Sequence, residues 1–293
     1  MIVAGAGVQG TAHLARAQGC QDAFKAVDLG DAAVLAVSDG AGSRDRSALG
    51  AHVAVDVAAR VLARDIPDAS AAPEDWTAWI ARCGKTVVEE YLRAVAGVLG
   101  ADRADSVNRA VSADRAESGD RADSADRADC GDPAGAGDAA DAGDPGDLAA
   151  TLTAALVAPP WVAFVSVGDG FGTLLTRDDR CHLVLPPPEG PPVFLSSPGA
   201  ALRVRTFVVW EPELSGVVLS TDGCAPLALD HPTVRQLPLS AGPLPADGFF
   251  LGLAAALRDT RGDAEPLRRL LSAPEAGRTG DDLTVLCALV ERG

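Results

Sequence analysis

Two apolar runs in this sequence end in the same way, and they constrain the fold more than any other feature. "VLAVSDGAGS" (34–43) and "VVLSTDG" (217–223) each read as a buried strand that stops at a hydroxyl residue, an aspartate and a glycine. A single Asp-Gly is a common turn, and that interpretation stays open for either one alone. Together they predict that Asp39 and Asp222 occupy rigid strand ends, where a side chain is well positioned for chemistry.

Further aspartates stand at similar places along the chain. Asp22 lies in "CQDA" before a strand, Asp169 in "VGDG" at a turn, and Asp281 in "GDDLTV" before the last strand. Each of these could instead cap a turn or a helix. Carboxylates gathered at strand ends repel one another unless a cation lies between them. Because oxygen ligands select hard ions, the pattern favours Mg²⁺ or Mn²⁺ over zinc.

The periodicity along the chain predicts an α+β fold with helices packed on stacked antiparallel sheets. Apolar residues at helical spacing predict a helix after residue 43, with the stripe Leu49, Val53, Val57 and Val61. A second helix is predicted from Pro73 to about Leu99, with its stripe at Trp76, Ile80, Cys83, Val87, Tyr91 and Val95. In the later chain, strands are predicted at 161–169, 172–177 and 203–210. Helices follow at 247–260 and 264–273, and a last strand is predicted at 282–290.

Residues 101–147 break this pattern. The hexamer "ADRADS" (101–106) recurs in altered form at 113–118, 119–124 and 125–130, and the segment holds 13 acidic residues against 5 arginines. With almost no large apolar side chain it cannot offset its ordering entropy, so we predict a disordered acidic insertion within a single domain spanning 1–293. The alternatives are a solvated helix with Asp–Arg pairs or an interaction tail.

Composition excludes several functions. A net charge of −16 makes the chain a poor ligand for nucleic-acid backbones. The beginning of the sequence lacks the pattern of a signal peptide, and the most apolar later run is interrupted by Pro159-Pro160, so we expect a cytoplasmic protein without membrane contact. The six cysteines form no CxxC pair, and we expect reduced thiols that mostly fill the core.

The order of the motifs points to a family. "CQDA", "AVSDGAGS", "VGDG", "LSTDG" and "GDDLTV" in succession resemble the metal-dependent protein phosphatases of the 2C type (the PPM family), and most closely their divergent bacterial branch. The resemblance runs from about Gly10 to Val290 and skips only 101–147. It implies a four-layer α-β-β-α sandwich, with two antiparallel sheets between helix pairs and a metal cleft at one end.

The resemblance also implies roles for individual residues. Asp39 would bridge two Mg²⁺ or Mn²⁺ ions, with the Gly40 carbonyl as a further ligand. Asp222 and Asp281 would complete the shell of the first ion, and Asp22 would hold metal-bound water. Asp169 matches an acid that some bacterial members place near a third ion. The implied reaction is two-metal hydrolysis of phosphoserine or phosphothreonine in proteins by a water shared between the ions, reversing a Ser/Thr kinase. We expect a monomer.

Three departures from the family pattern leave questions open. Gln21 is neutral where a carboxylate would help to hold the second ion. The phosphate-binding arginine of the family has only Arg16 and His13 as candidates; the fork of Arg16 suits phosphate better, and a plain surface role is equally open. "GDDL" replaces the usual Asp-Asn-Ile, so Asp281 takes the ligand position, although Asp282 is one place away.

Two other functions compete with the phosphatase. A non-catalytic relative that binds phosphoproteins is favoured by Gln21 and opposed by the survival of Asp39, Asp222 and Asp281. A haloacid-dehalogenase-like hydrolase would need a second aspartate two positions after its nucleophile, which "SDGAGS" and "TDGCAP" lack. Cys20 and Cys224 are near the motifs but are not needed as nucleophiles. A further hypothesis is that oxidation of Cys224 disturbs the site, because Cys224 closely follows Asp222 and Gly223.

Overall fold

Two five-stranded antiparallel sheets form the centre of the protein in a computed structural model that describes residues 1–118 and 144–291. The first sheet has the order β1 (Ile2–Val8), β12 (Leu283–Leu289), β9 (Leu214–Ser220), β6 (Phe171–Thr176) and β7 (Cys181–Leu185). The second has the order β2 (Ala23–Asp28), β3 (Ala33–Ser38), β4 (Leu152–Ala158), β5 (Trp161–Val167) and β8 (Arg205–Trp210). A short pair, β10 (Leu229–Asp230) and β11 (Leu244–Pro245), stands apart from both sheets.

Helices cover the outer face of each sheet. The longest are α2 (Ser47–Leu62) and α3 (Pro73–Ser118) on the second sheet, and α5 (Asp247–Asp259) and α6 (Glu265–Leu271) on the first. Two short helices, α1 (Thr11–Ala15) and α4 (Ala225–Ala228), lie in connections. In the described parts of the chain, no helix is both long enough and apolar enough to cross a membrane.

Three apolar cores separate these four layers and explain the runs that opened the sequence analysis. In β3, Val34 and Ala36 pack toward α2 and α3, whereas Leu35 and Val37 pack between the sheets. A strand buried on both faces reads as a continuous apolar run rather than an alternating one. The predicted four-layer α-β-β-α sandwich is therefore confirmed.

The helix predictions hold in position but not in every detail. The stripe predicted for α3 is buried throughout, from Trp76 to Val95. In α2 the predicted Val57 and Val61 are buried but Leu49 is exposed, and the buried face also includes Ala51, Ala54, Ala58 and Leu62. Small alanines let this helix lie close to the sheet, which an apolar stripe of larger residues does not reveal.

The acidic insertion begins later than the composition indicated. Helix α3 continues through Ser118, so residues 101–118 are helical where the sequence analysis predicted disorder. Alanine, arginine and glutamate are good helix formers, which favours extension of a helix already started by a packed segment. The rest of the predicted insertion falls mainly on 119–143, which lies outside the described residues. The chain is described again from Asp144, and Pro145–Leu148 forms a short 3₁₀ helix.

Candidate active site

The sandwich brings five aspartates together at one end of its two sheets. Asp39 directly follows β3 and Asp222 follows Thr221 at the end of β9, while Asp169 lies in the turn between β5 and β6. Because Ala23 pairs with Ser38, the register sets Asp22 beside Asp39. Asp281 stands two residues before β12, which pairs with β9. The fold therefore places the predicted aspartates of both sheets at the same end of the sandwich, and Arg16 is the exception among the predicted site residues.

These side chains lie near enough to shift one another's pKa values. Burial raises the pKa of Asp39 well above its usual range, and the neighbouring charges of Asp22, Asp222, Asp281 and Asp169 raise it further. Burial also raises the pKa of Asp222 to about 6, with Asp169 and Asp281 adding to the rise. Like charges in a partly dehydrated site favour protonation, and a cation would remove that penalty.

Asp22 is the most deeply enclosed member of the cluster. Burial raises its pKa to about 7, although the hydrogen bond from Thr221 acts in the opposite direction. The Thr221 hydroxyl donates to Asp22 Oδ2 at 2.8 Å. Since Asp22 precedes β2 and Thr221 follows β9, this bond ties the two sheets together beneath the site.

The glycines after Asp39 and Asp222 are required by space. A Cβ on Gly40 would lie 2.6 Å from the backbone carbon of Ser47, at the start of α2. A Cβ on Gly223 would lie 2.0 Å from the carbonyl oxygen of Asp282. Both contacts are far shorter than real Cβ contacts, so each Asp-Gly pair marks a place where the strand end is pressed against another backbone.

Asp281 and Asp282 have different surroundings. The charge of Asp281 raises the pKa values of Asp39, Asp222 and Asp169, so Asp281 belongs to the cluster. Asp282 is 1% exposed, and its two oxygens accept from the backbone amides of Gly10 and Gln21, each at 2.6 Å. Asp282 thus joins the segments around α1 and before β2 to the start of β12.

His13, rather than Arg16, borders the site. His13 is buried, and its Nδ1 lies 3.0 Å from Asp282 Oδ1. Its Nε2 and the Oε1 of Gln21 lie 3.7 and 3.5 Å from where a Cβ on Gly42 would be, beside the loop that follows Asp39. Arg16 is exposed at the end of α1 and makes no side-chain bond to the described residues. Its phosphate-binding role stays a prediction.

Two positions with clear roles here lack a simple sequence signal. Asp282 looked like a spare acid, and only the fold shows that it receives two amides from distant segments. Arg205, at the start of β8, neighbours Asp169 and lowers its pKa, which burial otherwise raises.

Cys224 is fully buried with its Sγ 3.6 Å from the Thr284 carbonyl, and burial raises its pKa, which disfavours the reactive thiolate.

The residues fit a site for hard cations by charge and donor type. Four of the five carboxylates, those of Asp22, Asp39, Asp169 and Asp222, have raised pKa values, and Asp169 Oδ1 is buried with no hydrogen-bond partner among the described residues. In residues 1–118 and 144–291, however, no three His, Cys, Asp or Glu side chains converge as metal ligands would. The fit therefore rests on electrostatics and oxygen donors, not on a preformed coordination shell.

Exchanging Asp281 or Asp282 for asparagine should separate their roles. We expect Asp282→Asn to lower the free energy of unfolding by about 1–3 kcal/mol, because an amide offers one acceptor oxygen where two backbone N–H groups need one each. Asp281→Asn should not lower the stability of the metal-free protein, because it relieves repulsion in the cluster, and it should weaken Mn²⁺ binding. Urea denaturation without metal and titration calorimetry with Mn²⁺ measure the two effects. Swapped results would make Asp282 the ligand.

Comparison with known proteins agrees with this geometry. The family model described as protein phosphatase 2C matches residues 9–271. A bacterial serine phosphatase has a TM-score of 0.51 at 10% identity, covering 99% of each chain. An arginine-to-lysine variant of a bacterial serine phosphatase gives 0.53 at 11%, covering 100% of this chain and 99% of the other. The serine/threonine phosphatase PstP/Ppp of Mycobacterium tuberculosis gives 0.49 at 17%, covering 100% of both chains.

At these identities the solved structures establish the fold alone, and no curated protein matches the sequence. The family match extends over nearly the whole chain, including the segments that carry Asp22, Asp39, Asp169 and Asp222. The chain belongs to the protein phosphatase 2C family.

Proposed function

We propose that the protein is a Mg²⁺- or Mn²⁺-dependent phosphatase that hydrolyses phosphoserine or phosphothreonine in proteins and so reverses a Ser/Thr kinase. The observation that carries the proposal is the cluster around Asp39, where four neighbouring carboxylates raise its pKa. A purely structural site gains nothing from five acids that repel one another, whereas a site for divalent cations needs such charge.

The residues divide the work as follows. Asp39, the Gly40 carbonyl, Asp222 and Asp281 would hold the ions, with Asp22 and Asp169 at the sides. Bound Mg²⁺ or Mn²⁺ supplies a Lewis acid that lowers the pKa of water and offsets charge on phosphate oxygens. Asp22 and Asp39 are neighbours across the β2–β3 pairing, and both have raised pKa values, so this pair can retain a proton.

Hydrolysis of p-nitrophenyl phosphate and of a phosphothreonine peptide tests the proposal directly. We expect turnover with Mn²⁺ or Mg²⁺, none in excess EDTA, and recovery when the ion is restored. Asp222→Asn should remove the turnover, because it deletes an anionic ligand from the cluster centre. Equal activity with and without the chelator would exclude a metal-dependent reaction and with it the proposed function.

A non-catalytic phosphoprotein-binding regulator is a second candidate, favoured by Gln21. This neutral side chain is buried, and its Oε1 has no hydrogen-bond partner among the described residues. A carboxylate there would help to hold a second ion, and the amide adds no charge. Calorimetry with Mn²⁺ separates the two candidates: binding of two ions together with turnover supports the enzyme, and absence of ion binding supports the regulator.

A further inference from the structure

A pocket of about 340 Å³ opens directly beside the carboxylate cluster. One wall is the proline-rich segment that follows β7, with Pro188 and Glu189, and the other is the start of β8, with Arg203 and Arg205. The pocket reaches Gly168, the residue before Asp169. A group held in this pocket would therefore be a close neighbour of a group held at the cluster.

The inner side of the pocket is held in a fixed shape. Arg205 is half-buried and donates to the Gly168 carbonyl at 3.3 Å, to Ser166 Oγ at 3.1 Å and to the Pro186 carbonyl at 2.8 Å. These bonds join the turn that carries Asp169 to the base of the proline-rich segment. Gly168 has φ +104, and a Cβ there would lie 2.6 Å from the side chain of Thr151. The pocket wall next to the cluster thus has little freedom to move.

The outer side of the pocket carries an available positive charge. Arg203 is exposed, and its guanidinium forms no hydrogen bond or ion pair with the described residues. The lining holds two arginines and a single acid, Glu189, in a chain whose net charge is −16. The lining of this pocket is therefore net positive, although the neighbouring cluster is acidic. The planar fork of an arginine side chain matches a carboxylate or a phosphate.

We propose that this pocket binds an acidic side chain close to the phosphorylated residue of the protein substrate, with Arg203 as the main contact. The inference rests on the proposed phosphatase function and specifies its substrate class as phosphoproteins with an acidic flank. Arg205 serves as the positioning residue that keeps the pocket aligned with Asp169. The attraction is largely solvent-exposed, so it contributes selectivity more than raw affinity.

Matched phosphoserine peptides that carry glutamate or glutamine at one of the positions −3 to +3 test the pocket. At one or more positions we expect the wild type to prefer glutamate by about two- to fivefold in kcat/KM, the upper part of the range for an exposed ion pair. Arg203→Gln should remove the preference, Arg203→Lys should keep most of it, and Arg203→Glu should reverse it. Raising NaCl from 50 to 500 mM should also reduce it, because salt screens exposed charges.

Arg177→Gln is the matched control, since Arg177 is exposed just beyond the opposite end of β6 and should leave the preference intact. If the wild type hydrolyses p-nitrophenyl phosphate but hydrolyses both members of every peptide pair equally well, the proposed role of the pocket is wrong and the proposed phosphatase function is unaffected. If p-nitrophenyl phosphate is not hydrolysed, the phosphatase fails, and phosphonate analogues of the peptides then report binding by fluorescence anisotropy. An Arg203-dependent preference for the glutamate analogue supports the pocket in that case; equal binding of both analogues refutes it.

Discussion

Asp39→Asn is expected to abolish metal-dependent phosphate-ester hydrolysis and, at the same time, to make the metal-free protein more stable. The loss of activity should be about a thousandfold or more, because the carboxylate at the centre of the cluster would be the main anchor for cations that stabilise the transition state. The gain in stability follows from relief of repulsion, because four neighbouring carboxylates repel the charge of Asp39 and asparagine carries no charge.

The asparagine keeps what the fold needs at this position. Asparagine is uncharged and has nearly the volume of aspartate, so it fits the same place beside Asp22. We therefore expect the melting temperature in EDTA to rise by about 2–4 °C, the shift that roughly 1 kcal/mol produces in a domain of this size. Differential scanning fluorimetry with EDTA and p-nitrophenyl phosphate turnover with Mn²⁺ give the two readings.

Asp31→Asn is the matched control. Asp31 is exposed in the turn between β2 and β3, so this substitution removes the same charge at a place far from the carboxylate cluster. It should change neither reading. Full turnover by Asp39→Asn would remove this residue from the chemistry, and a lower melting temperature in EDTA would contradict the account of repulsion at the cluster.

Asp39 is expected to support activity at a cost in stability, and this combination explains how much of the site could be predicted from the sequence. Asp39 and Asp222 stood out because an acid that ends a doubly buried strand is costly for stability, so its presence indicates a function. The five aspartates were found from the order of their motifs, and the register of β2 with β3 brings Asp22 to Asp39 as that order implied. Strand patterning thus singled out Asp39 and Asp222, and the resemblance in motif order supplied Asp22, Asp169 and Asp281.

Other features depend on contacts between distant segments, which no local pattern encodes. Asp282 accepts amides from Gly10 and Gln21, more than 250 positions away along the chain, so it looks like an ordinary neighbour of Asp281 in the sequence. His13 was set below Arg16 on side-chain chemistry, but only the short turn of α1 decides which of the two is turned inward. The predicted end of the second helix failed because the apolar stripe ends near Leu99, whereas helical hydrogen bonding continues to Ser118.

A strong dependence of metal-induced stabilisation on pH is the second large effect that the cluster predicts. Asp22 has a pKa of about 7 in the folded protein against an ordinary value of 3.8, and Asp222 has about 6. Between pH 4 and 7 the folded state therefore keeps protons that the unfolded chain has already released. By proton linkage the metal-free protein must lose stability as the pH rises through this range, and the loss levels off only after the pH has passed the folded pKa values of the cluster.

A divalent cation reverses this trend because it replaces those protons at the same carboxylates. Saturating Mn²⁺ should raise the melting temperature by about 5–10 °C at pH 7.5, as expected for a ligand at about a hundred times its dissociation constant. At pH 5 the shift should nearly vanish, because Mn²⁺ must compete with bound protons. Asp222→Asn should flatten the pH dependence of the metal-free protein and shrink the Mn²⁺ shift together, since both arise from one group of charges. A shift of equal size at pH 5 and pH 7.5 would mean that the ion binds elsewhere, and the electrostatic cost of the cluster would then have no functional explanation.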